Sequence, residues 1–178
     1  MALPTTLGTE SIGRLLRQYA VPAIVAMTAS SLYNMIDSIF IGQGVGPLAI
    51  SGLAVTFPFM NLAAAFGSLV GVGASTMVSV KLGQKDYTTA RKVLGNVVAL
   101  NTIIGIVFMT ISLIFLDKIL LFFGASENTL SYARDYMVVI LLGNIITHLC
   151  VGLNSVLRSS GHPREAMNVT LLTVALNF

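Results

Sequence analysis

Apolar residues run along this chain in five long blocks, separated by short polar breaks that carry glycine, proline or charge. The blocks cover about residues 15–41, 48–80, 90–116, 129–157 and 163–178. Runs of roughly 18–20 apolar residues read as membrane-spanning helices, because 1.5 Å of rise per residue then crosses a hydrocarbon core of about 30 Å. Inside the blocks, polar residues recur at intervals of three and four, the spacing of one helix face. The pattern predicts an all-α polytopic membrane protein.

The breaks carry helix-end chemistry. Asp86 before YTTARKVLG and Ser126 before ENTLSYARDY are N-cap candidates. Pro163 suits a first helical turn. Gly42, Gly44 and Gly46 end the first helix, Pro47 starts the second, and Pro58 is expected to break it. The fifth block has 16 residues from Pro163, about 24 Å of helix, which is short for a span. It is therefore expected to be a truncated helix, and the chain part of a longer protein. The alternative is a complete protein with a half-inserted tail.

Composition agrees with the pattern. Mean hydropathy is +0.87, with 55% hydrophobic and 10% charged residues, where a soluble domain is about one quarter charged. The net charge of +3 does not point to nucleic acid, since the basic residues lie in loops and at helix ends. Eight of the ten Lys and Arg cluster near the start of block one, around the junction of two and three, and around the junction of four and five. By the positive-inside rule the N-terminus is expected in the cytoplasm. The first block is too long, and too interrupted by Pro22, for a cleavable signal peptide. The single Cys150 excludes an internal disulfide and a cysteine-based metal site. His148 and His162 stand apart, and no zinc, phosphate-loop or nucleophile-triad spacing occurs. No catalytic residue, metal ligand or enzyme activity is expected.

Asp37 carries the sharpest chemical signal. It sits in the outer part of block one, about 30 Å of helix beyond Arg17. An acid at the centre of a spanning helix costs about 2.5–3.5 kcal/mol, less toward the interface. Ser30, Tyr33 and Asn34 share its helix face, so the acid belongs to a polar stripe expected to face protein or a water-filled cavity. Two readings stay open: a hydrogen-bonded or wetted acid joining helices, or a site that gains and loses a proton or sodium ion as water access changes. Pro22 is a static kink or a hinge, and Pro58 has the same ambiguity. Gly67, Gly71, Gly73 and neighbouring small residues read as close helix packing or as a cavity wall. In block four, Tyr136, Thr147 and Asn154 recur near helical spacing, with Asn144, His148 and Ser155 alongside. His148 reads as a proton relay or as hydrogen-bonded glue. Arg134 and Asp135 read as boundary residues that snorkel or pair. Residues alone lead to a helical membrane protein with a polar interior and one intramembrane acid, for which a transporter is the default reading.

The stretch LLRQYAVPAIVAMTASSLYNMIDSIFIGQGVGPLAISGLAVTFPFM resembles the opening of multidrug and toxic compound extrusion (MATE) transporters. The resemblance continues through GVGASTMVSVKLGQKDYTTARKVLGN and LNSVLRSSGHPREAMNVTLLTVALNF, and so covers essentially the whole chain. It implies a two-lobe protein of twelve helices, of which this chain would be five of the six helices of the first lobe. It also implies exchange of a drug-like, cationic amphiphilic substrate for protons or sodium ions, with no other cofactor. Asp37 matches an aspartate implicated in cation coupling, and Pro22 a proline implicated in bending helix one. Tyr136, Asn154 and Asn177 look similar to polar residues lining the first-lobe chamber, and Tyr33 and Asn34 of the Asp37 stripe are expected to line the same cavity. The partners implied are a small-molecule substrate, membrane lipid and the second lobe of the same protein, in a bacterial inner membrane. Competing readings are a lipid-linked oligosaccharide flippase, which favours a strongly cationic cavity, an intramembrane enzyme, and a non-transporting membrane scaffold. The neutral or acidic interior here weighs against the first, and Asp37 with His148 alone does not furnish the second.

Overall fold

The computed structural model describes residues 10–176. These form six helices in chain order: α1 (Ile12–Gly44), α2 (Pro47–Gly83), α3 (Tyr87–Ile114), α4 (Leu116–Phe122), α5 (Glu127–Ser159) and α6 (Pro163–Leu176). Among the described residues, α1, α2, α3 and α5 are long and apolar enough to cross a membrane.

The helix ends follow the local chemistry. The Asp86 carboxylate accepts from the Thr89 backbone N–H at 3.0 Å, taking up a donor that the first turn of α3 leaves unpaired. Ser126 and Thr129 close a capping box at the start of α5. Pro47 and Pro163 open α2 and α6. Gly46, at φ +111°, makes the turn between α1 and α2 in a backbone region that L side chains disfavour.

Two expectations change. The break at Pro58 does not occur: α2 runs unbroken from Pro47 to Gly83, and the residue after the proline, Phe59, is fixed in the core. The third block is also not one helix to residue 116. The chain turns at Phe115 and starts the seven-residue α4, with Asp117 in its first turn. Leu116 and Leu120, one helical turn apart, bury against Ala133, Met137 and Leu141 of α5. That burial needs a change of direction after Ile114, and Gly124, at φ +101°, then ends the excursion.

The tightest packing joins α2, α3 and α5. Helices α2 and α5 run parallel in one register, with Gly52 against Ala133, Gly67 against His148 and Gly71 against Gly152. Helix α3 runs antiparallel to both, with Asn101 beside Gly152 and Gly105 beside Ile145 and His148. One end of this bundle is filled by Phe59, Leu116, Leu120, Met137 and Leu141, the other by Val78, Val93, Val97 and Val156. Helix α1 stands apart: it lies mainly along α6, touches α2 lightly and does not pack closely on α5. Only Pro22 and Ala26 of α1 are buried.

Candidate cation and substrate site

Asp37 is partly buried, as are Ser30 and Tyr33 on the same face of α1. Its carboxylate acts electrostatically on Tyr33, one turn earlier, and on Tyr136 of α5. Tyr33 also acts on Tyr136. Tyrosines from two different helices thus lie within electrostatic range of one acid, where α1 and α5 are loosely packed. Tyr136 is held there by the bundle, since it packs against the cluster around Met137 and Leu141.

The remaining sequence-derived candidates fall elsewhere. Asn34 shares the α1 stripe but is exposed, and its backbone carbonyl accepts from the Ser38 hydroxyl at 2.9 Å. Pro22 is buried within an unbroken helix, 15 residues or about 22 Å from Asp37. Asn154 lies 18 residues beyond Tyr136 on the same helix, about 27 Å away. Its side chain is engaged at the α5–α6 joint. The amide N–H donates to the Ala166 carbonyl at 2.9 Å, and the Arg158 guanidinium donates to its oxygen at 3.1 Å. Asn177 lies outside the described residues. The structure therefore brings Tyr33, Asp37 and Tyr136 together and sets Pro22 and Asn154 toward the other end of the helices.

Arg134 pairs with Asp117 of α4 at 3.4 Å rather than with its neighbour Asp135. Asn101, fully buried at the middle of α3, is not singled out by the polar pattern of the sequence. Its signal is Gly105 one turn further on, which marks the same face as a close helix contact.

A bundle of membrane-length helices with Asp37 in electrostatic range of tyrosines on two helices defines a multi-pass membrane protein with a polar, ionisable face. The chain belongs to the MatE family, whose sequence model matches residues 22–178. It is 30% identical over 168 residues to the multidrug export protein MepA of Staphylococcus haemolyticus, covering 94% of this chain and 37% of that protein. The MepA protein of Staphylococcus aureus is 29% identical over 159 residues, covering 89% of this chain and 35% of that protein. The chain thus spans little more than one third of the curated relatives it matches. Among solved structures, the MATE multidrug transporter DinF-BH superimposes with a TM-score of 0.88 at 33% identity, over 96% of this chain and 38% of that one. An outward-facing multidrug resistance MATE family transporter gives 0.82 at 27% identity, over 91% and 36%.

Proposed function

We propose that this chain serves as the first lobe of a cation-coupled antiporter that exports drug-like, cationic amphiphilic compounds, with H⁺ or Na⁺ as the coupling ion. The observation that carries the reading is Asp37 on the least embedded long helix, within electrostatic reach of Tyr33 and Tyr136. A carboxylate in range of two aromatic rings offers an organic cation both a counter-charge and π faces. A proton or sodium ion arriving at Asp37 would cancel that charge and weaken the hold on the substrate, which is the exchange an antiporter needs. The reading is supported by relatives that are multidrug export proteins and by the likeness to a solved multidrug transporter. In it, Pro22 is the hinge of α1, and Asn34, Asn154 and Asn177 are chamber residues. The second lobe of the same protein closes the opposite wall, and the N-terminus faces the cytoplasm of a bacterial cell.

The test is dye efflux by the full-length protein carrying Asp37→Asn, with membrane expression followed by immunoblot. Loss of efflux at unchanged expression is expected. Efflux at the parental rate removes Asp37 from the mechanism and takes the antiport reading with it.

A further inference from the structure

Midway along the α2–α3–α5 bundle a polar layer interrupts the apolar packing. Asn101 is 0%, Asn144 4% and His148 1% exposed, and they lie between the two apolar clusters in the order of all three helices. Both side-chain polar atoms of Asn101, the amide nitrogen of Asn144 and both ring nitrogens of His148 make no hydrogen bond with the described residues. The His148 ring sits between Gly67 of α2 and Gly105 of α3, with Phe108 at 6.0 Å between ring centroids. The Ala63 backbone faces the ring without an aligned hydrogen bond.

Five such atoms cannot stay bare at this depth. Each buried polar group without a partner costs about 1–3 kcal/mol, and the bilayer core supplies no bulk water. We propose that the α2–α3–α5 seam binds a small cluster of ordered water molecules, held by Asn101, Asn144, His148 and the Ala63 carbonyl. The donor set identifies the ligand class. Two amide NH₂ groups and one ring N–H carry about five N–H donors against one amide oxygen, one ring nitrogen and the Ala63 carbonyl, so donors outnumber acceptors, as a cation would not favour. No charge lies near to compensate an ion. The sole charged residue of α2 is Lys81 near its end, those of α3 are Arg91 and Lys92 in its first turns, and those of α5 are Glu127, Arg134, Asp135 and Arg158 toward its ends. Among the described residues no three His, Cys, Asp or Glu gather to hold a metal. Buried waters make about three hydrogen bonds each, so about two of them satisfy the layer. These waters tie α3 to α2 and α5 where the polar side chains do not hydrogen-bond one another.

The test is water-edited solid-state NMR of the full-length protein in lipid bilayers. His148 is assigned without mutation by labelling the carbonyl of Thr147 and the nitrogens of histidine. The His148 ring is expected to take up water magnetisation, with the loop residue His162 as the positive control. Transfer to His162 but none to His148 shows a dry seam and overturns the proposal. Asn144→Leu removes one anchor and adds apolar bulk, and is expected to cut the transfer to His148 several-fold. Unchanged transfer in that variant separates Asn144 from His148 and overturns the shared site.

Discussion

The crossing of α2 and α5 at Gly71 and Gly152 is tight enough to give a quantitative test. A Cβ placed on Gly71 would lie 2.7 Å from the Gly152 Cα and 3.1 Å from its carbonyl oxygen. These are backbone atoms, which cannot swing aside as a side-chain tip can. Ordinary carbon contacts begin near 3.5 Å, so Gly71→Ala forces the two helices apart by about 0.8 Å over the crossing. Overpacking of this kind costs about 1–3 kcal/mol, and the loss recurs wherever the neighbouring turns were in contact. Gly73 is the matched control. It lies two residues away in the same helix, is exposed, and a Cβ there meets nothing within 4 Å. Both substitutions gain the same helix propensity, up to about 1 kcal/mol relative to glycine, so the difference between them isolates the crossing. The assay is the thermal melt of the two purified full-length variants in one detergent. Gly71→Ala should melt clearly below Gly73→Ala, which should match or exceed the parent. Equal melting temperatures would mean that α2 and α5 do not meet at these residues, and the parallel register would have to be redrawn.

Three further outcomes follow from named contacts. Pro22→Ala restores a backbone donor inside α1 and should slow efflux by the full-length protein more than it changes melting; wild-type transport would reduce Pro22 to a static feature. Asn154→Leu breaks the 2.9 Å bond to the Ala166 carbonyl and strands the Arg158 guanidinium, and should cost about 0.5–2 kcal/mol of stability, read as a lower melting temperature. Asp86 is held below the usual carboxylate range, first by its bonds to Thr89 and then by Lys81 and Lys92. Its folded form thus prefers the charged state, and that contribution is complete above the usual range and lost as pH falls through the folded value. The parent should lose more stability than Asp86→Asn between about pH 5 and pH 3, and parallel pH profiles would contradict the cap.

Hydrophobic length and helix-end chemistry made the spanning helices legible, because both are local. The caps at Asp86 and Ser126 and the opening prolines at Pro47 and Pro163 needed only near neighbours in sequence. Helix α4 was hidden because Asp117 and Lys118 read as an ordinary polar break after the third block, and only burial of Leu116 and Leu120 against α5 reveals the short helix. Pro58 misled in a similar way: a proline lacks one backbone donor wherever it stands, and here the packing of Phe59 keeps the helix going. The stripe through Ser30, Tyr33, Asn34 and Asp37 could be drawn from spacing alone. That Tyr136 comes from α5 to meet Asp37, whereas Asn154 on the same helix is engaged with α6, depends on how helices cross. Polarity along a helix says that a residue needs a partner, not which one.

The placement of Asp37 has a mechanical logic. Helices in a bilayer gain little from the hydrophobic effect on one another, since lipid tails are as apolar as leucine, so close backbone contact and hydrogen bonds hold them together. Helices α2, α3 and α5 have the close contacts, at Gly67, Gly71, Gly105 and Gly152. Helix α1 has none of comparable closeness to α5, buries only Pro22 and Ala26, and rests chiefly on α6. A change of charge on a residue within the glycine-packed seam would have to work against all three helices. The same change at Asp37 acts across a joint between a loosely held helix and a locked one. Tyr136 supplies the fixed side of that joint and Tyr33 stands on the α1 side with the acid, so in the antiport proposed above neutralising Asp37 would change the field between the two sides. In that proposal an acid placed there would couple ion binding to helix movement at small cost, where one buried beside His148 would have to work against three packed helices.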